Sequence, residues 1–562
     1  MTCPTPSDSH PARPVTVANA PSGAGRPPGE FSAASKRRSA AFLERIVVFA
    51  AFLLLIWAIQ QTAGAPSAAF GGFPDEPAHY VGGLMTRSYL ATALGHDPIA
   101  FSRNYYVHLP YLAVGVWPPF FYALEACWMR VFGDGRDSVL WMIAAFGAAL
   151  ATLLYHVLKR RFDRCTALAG GGLLLLVPVV QWSACLVLVD LVCSFFALAA
   201  IVFFARFLEH RRWQDSLLFG LFCGIALLTK NSTYFVLFIP PLVIAGTRRW
   251  NLLLVRSLWL GPVIAVCAYL PWLFVSKPFL LLGTHGLQPP GFFAVHRDYA
   301  VTLWKQMSFL LPAAAAGAVL TFRSKSWRQD TISQCMLAVI IAIPLSIFAA
   351  KLPIQDRLLI VAFAAVIFFV GRLAAAVAAP AKRAALMFGG LVIFGGLNWM
   401  SFTPLPPNHI RPAVAFLYGR HGSGAILVPS NNEGPWIAEF AKYEGMRPGR
   451  VIVRPTKLFG EENWNGTDWR PYYTSLDEVN SLFERIPIRY CILPAVAGGR
   501  RYPHDDLLEA ALADSSRWRR VPYGPENQGP TAYRIYENLQ WTPAVEPAVY
   551  REIRRTLEKH LP

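Results

Sequence analysis

Apolar runs of about 20 residues, the length that crosses a ~30 Å hydrocarbon core, recur from residue 41 to residue 401 with short polar breaks between them. Their spacing predicts eleven membrane spans, at 41–60, 137–158, 165–182, 186–206, 215–229, 233–246, 257–275, 308–322, 331–350, 357–373 and 384–401. From residue 403 the pattern changes. "GAILVPS", "RVIVRP" and "IRYCILP" read as short buried strands, separated by the helical patterns "GPWIAEFAKYEG" and "SLDEVNSLFERIP". Ser475 and Glu478 form a capping-box pair, after which Leu476, Val479, Leu482, Phe483 and Ile486 fall on one helical face. A strand, helix, strand order with a mainly parallel sheet follows, so 403–562 reads as a small α/β domain. The first 40 residues, rich in Pro, Ser, Ala and Gly, cannot bury enough apolar surface to fold and read as a disordered cytoplasmic tail. The run behind them starts too late and is too long for a signal peptide, so it stays as an anchor.

Charge then orients the spans. With the N terminus inside, the inner connections carry "KRRFDR", "RFLEHRR", "TRRWNLLLVR", "RSKSWR" and "GRLAAAVAAPAKR", while the short outer ones near Ser183, Asn231 and Lys351 are poor in basic residues. An odd number of spans puts residues 403–562 outside. The net charge of +18 is therefore a topology signal and argues against nucleic-acid binding. A 54% apolar, 15% charged composition and a mean hydropathy of +0.37 agree with a polytopic α-helical membrane protein. Cys491 is the single cysteine after residue 402, which excludes a disulfide inside the outer domain; no Cys/His spacing of a metal site occurs. Asn465, Gly466 and Thr467 match a glycosylation sequon that matters only in a secretory eukaryotic setting.

The first outer loop, 61–136, is far too long for a simple connection. It begins with "GGFPDEPAHY", which places Asp75, Glu76 and His79 just past the first span, and continues through two amphipathic patterns, one after Pro77 and one from Phe120 to Phe132, suited to helices on the bilayer surface. Asp190, Lys230, Lys351 and Arg357 fall at outer ends of spans, where ionisable groups are costly. The bland readings are acids favoured at a helix start and basic side chains snorkelling to the interface.

The order of one span, a loop starting with Asp-Glu, two interface helices, "WPPFFYALEACWMRVFG" and the basic turn "LKRRFDR" resembles the polytopic GT-C glycosyltransferases. Within them it is most similar to bacterial relatives of the protein O-mannosyltransferases (glycosyltransferase 39) and of the lipid A aminoarabinose transferase. "VPVVQWSACLVLVDLVCSFFALAA", "GIALLTKNS" and "KLPIQDRLLI" continue the similarity over about residues 41–375; the family's usual Arg-Tyr pair stands here as Arg357-Leu358. The resemblance implies a GT-C fold and transfer of a sugar from a polyprenyl phosphate, with inversion, to a hydroxyl of a lipid, glycan or protein. Its active site would face the periplasm from a bacterial inner membrane.

A weak hydroxyl nucleophile needs a carboxylate to take its proton, and the leaving phosphate needs cations opposite. The resemblance makes Asp75 the base. Glu76 would position acceptor or base, Asp190 is the second catalytic carboxylate, and Lys230, Lys351 and Arg357 are donor-phosphate ligands. His79 and His108 are open to acceptor contact or, with Asp75 and Glu76, to a divalent metal. No other cofactor is called for. The alternative is a transporter or assembly protein for lipid-linked glycans without transferase activity.

Overall fold

In a computed structural model, the described residues are 28–113, 115–283, 290–420, 424–461, 469–495, 501–523, 533–543 and 554. The sequon at 465–467 and tail residues 1–27 lie outside them. The chain divides into two compact units, 1–48 and 49–562. Of the first, only the helical residues from Pro28 are described, so helix begins earlier than the tail reading to residue 40 expects. All that follows concerns the second unit.

The helices in chain order begin with α1 (Pro28–Thr62), α2 (Asp75–Thr92), α3 (Pro98–His108), α4 (Phe120–Phe132), α5 (Arg136–Arg161), α6 (Arg164–Leu175), α7 (Pro178–Ala184) and α8 (Asp190–His210). They continue with α9 (Trp213–Thr229), α10 (Phe235–Thr247), α11 (Arg256–Gly283), α12 (Phe292–Met307), α13 (Leu310–Arg323), α14 (Thr331–Ala349), α15 (Ile360–Val377) and α16 (Pro380–Asn398). Among the described residues, 6 helices are long and apolar enough to cross a membrane, or up to 8 if each of two bent pairs is one span. α6 and α7 form one such pair, bent by 69° where Pro178 cannot continue the ladder. α12 and α13 form the other, bent by 111° at Ser308, whose φ of 47° lies in the left-handed region.

Helix starts follow local chemistry. The Asp97 side chain accepts from the amide of Ile99 at 2.8 Å ahead of Pro98, and that of Asp163 accepts from Thr166 at 2.8 Å. Small residues set the closest crossings. A β-carbon on Gly220 of α9 would stand 2.3 Å from the carbonyl oxygen of Gly261 in α11, so these helices meet backbone to backbone.

The C-terminal region adds α17 (Ile410–Gly419), α18 (Glu433–Glu444), α19 (Pro455–Leu458), α20 (Leu476–Arg485) and α21 (Pro503–Leu512). Its strands are β1 (Ile426–Leu427), β2 (Ile452–Val453), β3 (Gly460–Glu461), β4 (Arg470–Pro471), β5 (Tyr490–Pro494), β6 (Trp518–Val521) and β7 (Tyr533–Asn538). The Ser475–Glu478 capping box forms as expected. The main sheet runs β2-β1-β5-β7-β6. β1 is parallel to β2 and to β5, but β7 is antiparallel to β5 and β6, so the sheet is mixed and not mainly parallel. β6 and β7 escape the sequence reading because they bury only alternate or scattered positions and show no continuous apolar run.

Adding one methyl at the α9–α11 crossing should cost stability. Gly220→Ala is expected to lower the thermal midpoint in detergent by an amount equivalent to about 1–3 kcal/mol. Gly246→Ala, where a β-carbon meets nothing within 4 Å, should leave it unchanged. Equal midpoints for the two variants would contradict the close crossing.

Candidate active site

The two adjacent carboxylates of α2 diverge. Consecutive helical residues point about 100° apart, and here the Asp75 side chain stays 27% exposed while Glu76 is fully buried. The helix N terminus favours both charges. Glu76 Oε1 accepts from Arg136 Nη2 at 2.6 Å and Nε at 3.0 Å, and from the amide of Val187 at 3.2 Å. Arg136 also donates to the carbonyls of Ala65 and Cys185. Burial pushes the Glu76 carboxyl up, and Arg136 with the backbone amides only partly offsets it. Glu76 thus faces the protein and ties α2 to α5 and to the buried 185–189 segment, so of the expected roles, positioning acceptor or base, its contacts bear on the base through the helix turn it shares with Asp75.

Asp75 faces the other way. Its Oδ2 accepts from Arg357 Nη2 at 2.7 Å. Arg357 Nη1 lies 3.7 Å from Asp190 Oδ2, and Lys230 Nζ donates to Asp190 Oδ1 at 2.5 Å. Asp190 starts α8 directly after the segment that Glu76 and Arg136 pin, and Lys230 caps the end of α9 in extended backbone. Four groups drawn from four distant segments therefore form one cluster of two anions and two cations. The Arg357 guanidinium sits 4.3 Å over the Phe73 ring, and its Nε donates to Gln355. Nη1 of Arg357 and Oδ2 of Asp190 are both buried without a hydrogen bond among the described residues.

Arg357 and Phe73 also line a cavity of about 500 Å³, together with Val179, Trp182, Gln306 and Asp356. Gln306 is oriented by Asp356, at 2.7 Å, and by the amide of Val179, at 3.0 Å. Gln306 and Asp356 were missed in the sequence, where neither stands in a recognisable pattern. The charged side chains of its wall are one guanidinium, Arg357, and one carboxylate, Asp356.

Three expected site residues fall elsewhere or take other roles. Lys351 is exposed at a φ of 55°, and no ion pair joins it to the cluster among the described residues. His108 bonds the carbonyl of Arg450 at 3.1 Å. His79 does lie beside the cluster: its Nδ1 meets Tyr122 Oη at 2.8 Å, its ring stacks on Trp117 at 4.2 Å, and burial with the nearby Lys230 and Arg357 charges keeps the imidazole neutral well below its usual range. Among the described residues, no three His, Cys, Asp or Glu side chains converge as metal ligands, so the His79–His108 metal set does not assemble.

Residues 116–274 match the family model of dolichyl-phosphate-mannose-protein mannosyltransferases. A search of curated proteins returned no match. ArnT from Cupriavidus metallidurans, solved bound to undecaprenyl phosphate, is similar at a TM-score of 0.52 and 15% identity, over 88% of this chain and 98% of that one. The Archaeoglobus fulgidus oligosaccharyltransferase in its apo form is similar at a TM-score of 0.53 and 14% identity, over 88% of this chain and 74% of that one. The same archaeal enzyme, AglB, solved with an inhibitory peptide and a dolichol-phosphate, gives 0.51 and 12% over the same shares. The chain is an integral membrane protein with the GT-C fold.

One carboxyl near the site stands outside the cluster. Glu125 on α4 is fully buried against Gly83 of α2, and neither of its oxygens has a hydrogen-bond partner among the described residues. Burial pushes its carboxyl well above the usual range, so it is held as the neutral acid. A raised folded value means that its stabilising contribution is full below the unfolded value near ~4.3 and is lost as pH rises toward the folded one, at up to about 1.4 kcal/mol per pH unit. Glu125→Gln cannot titrate. Its thermal midpoint should therefore gain on wild type as pH rises from 5, and a constant difference between pH 5 and pH 8 would show that the folded Glu125 carboxyl is already ionised there.

Proposed function

We propose that this protein is a glycosyltransferase that moves a sugar from a polyprenyl-phosphate donor to a hydroxyl of a lipid, glycan or protein. The observation that carries this reading is the Asp75–Arg357 contact of 2.7 Å at the edge of the cavity that Arg357 also lines, in a chain with the fold of ArnT and AglB. The donor's phosphate would lie against Arg357 and Lys230, with its chain in the bilayer. The acceptor hydroxyl attacks the anomeric carbon from the face opposite the phosphate and gives its proton to Asp75. The bond to the phosphate oxygen breaks with inversion, and the two cations take up the charge that develops on it. Asp190 orients both cations.

We place the site on the outer face of a bacterial inner membrane, reached by eleven crossings. α5 to α16 supply ten when α6 with α7 and α12 with α13 count as one each and the shorter α9 and α10 are included, with α16, which is not among the helices apolar enough by length and composition alone, as the tenth. An even number between the first loop and the C-terminal region agrees with their direct contact, because two segments that touch outside the bilayer lie on one side of it. Ser88 Oγ donates to the carbonyl of Met446, and the Asn408 amide donates to Ser67.

The test is transfer of a labelled sugar from a polyprenyl-phosphate donor, beside binding of undecaprenyl phosphate in nanodiscs. Asp75→Asn should slow transfer by at least ~10²-fold while binding survives, since a positioned base contributes that much. Arg357→Gln should weaken binding by roughly ten- to hundredfold, the worth of a charge-assisted contact, whereas Lys351→Ala should bind as wild type. Near-normal transfer by folded Asp75→Asn protein would remove the base assignment.

A further inference from the structure

The C-terminal α/β region does not close its own core. The buried cluster of Leu427, Val453, Phe459, Phe483 and Trp518 is completed by Tyr106 from α3 of the first outer loop, with Leu112 packed against it. Next to this shared core, Arg454 follows β2 with its side chain 15% exposed, paired to Glu433 at 2.6 Å. Its Nη1 donates to the carbonyl of Pro110 at 3.3 Å, and its guanidinium lies 4.8 Å over the Tyr111 ring. Glu433 is fixed in turn by the amide and hydroxyl of Thr456, each at 2.8 Å. Gly434 then presses on the loop: a β-carbon there would be 2.7 Å from Pro77 Cγ and 2.7 Å from Tyr111 Cζ. Pro77 is two residues past Asp75.

The far end of the same stretch touches the active cluster. The Val116 carbonyl accepts from Asn231, the neighbour of Lys230, at 3.3 Å, and Trp117 stacks on His79, one turn along α2 from Asp75. Pro110 and Tyr111 are thus held by the α/β region, and Val116 and Trp117 by the groups flanking the base and a cation. None of Tyr111, Val116, Trp117 or His79 lines the 500 Å³ cavity. They flank Asp75 and Lys230 outside the lining of that cavity, where an acceptor can approach if the donor occupies it.

We infer that Arg454, held by Glu433 and stacked on Tyr111, is a positioning residue for the acceptor side of the site, through which the α/β region fixes the first turn of α2. This rests on the proposed function for the word acceptor, and on geometry alone for the coupling. Removing the guanidinium takes one support from Tyr111 and Pro110, which lets the Val116–Trp117 end and the Asp75 turn move, while Gln306 on the cavity side keeps its bonds to Asp356 and Val179.

Hydrogen exchange of the full-length protein in nanodiscs, read by mass spectrometry, tests the coupling without an acceptor. Arg454→Met should speed exchange by about tenfold or more in peptides covering 71–82 and 115–119, with 164–175 of α6 unchanged, as expected for local opening. Tyr111→Leu keeps the Arg454–Glu433 pair and the α/β core, so it guards against a simple folding defect; it should give the same pattern, and Arg454→Lys should restore part of the protection. Undecaprenyl phosphate binding should match wild type in all three variants. Where wild type transfers sugar, the loss in Arg454→Met should lie in kcat/KM for the acceptor, by about tenfold. Unchanged exchange at 71–82 in both Arg454→Met and Tyr111→Leu overturns the inference, as does exchange raised equally at 164–175. Absence of sugar transfer by wild type would count against the function and leave the exchange result standing.

Discussion

A carboxylate and a guanidinium sealed from water hold the site in register. Glu76 and Arg136 meet at 2.6 Å with 0% and 1% of their side chains exposed, and their remaining hydrogen bonds reach the turn after α1 and the segment before α8. Such a pair adds little net stability, because the cost of dehydrating two ions offsets their attraction. Breaking it is another matter, since one charge left alone in the interior costs about 3–5 kcal/mol. The pair therefore specifies more than it stabilises. It fixes the start of α2 against the start of α8, and so sets the gap between Asp75 and Asp190 that the Arg357 side chain fills.

Within that gap the charges sum to zero. Asp75 and Asp190 balance Lys230 and Arg357, which is how four ionised groups are tolerated at the edge of an apolar bundle. Asp75 holds the Arg357 guanidinium at 2.7 Å, so on the proposed reading the donor phosphate and the base meet at one side chain.

Much of this was legible in the sequence wherever local pattern decides structure. Apolar runs gave the long helices, Ser475 and Glu478 gave a cap that forms as read, and the 120–132 pattern matches α4 to the residue. What eluded sequence reading is long-range. Asp75 and Arg357 are 282 positions apart, and nothing local says that Arg357, and not the equally basic Lys351 six residues earlier, turns inward. Helical geometry does say that Asp75 and Glu76 must diverge, but which of them faces solvent depends on Arg136. β6 and β7 were lost for a different reason: a strand that buries few positions carries too weak a periodic signal to separate it from loop.

The shared core of the C-terminal region and the first loop has a consequence for biosynthesis. His108 and Arg450 are 342 residues apart in the chain, and Ser88 and Met446 are 358 apart. At about 5–20 residues per second, the ribosome needs roughly 17 to 70 s to make the second partner after the first. For that interval Tyr106 and Leu112 lack their packing partners, while the intervening helices enter the bilayer one after another. A nascent chain can thus carry its apolar helices before this packing exists, so synthesis of the C-terminal region sets when the shared core closes.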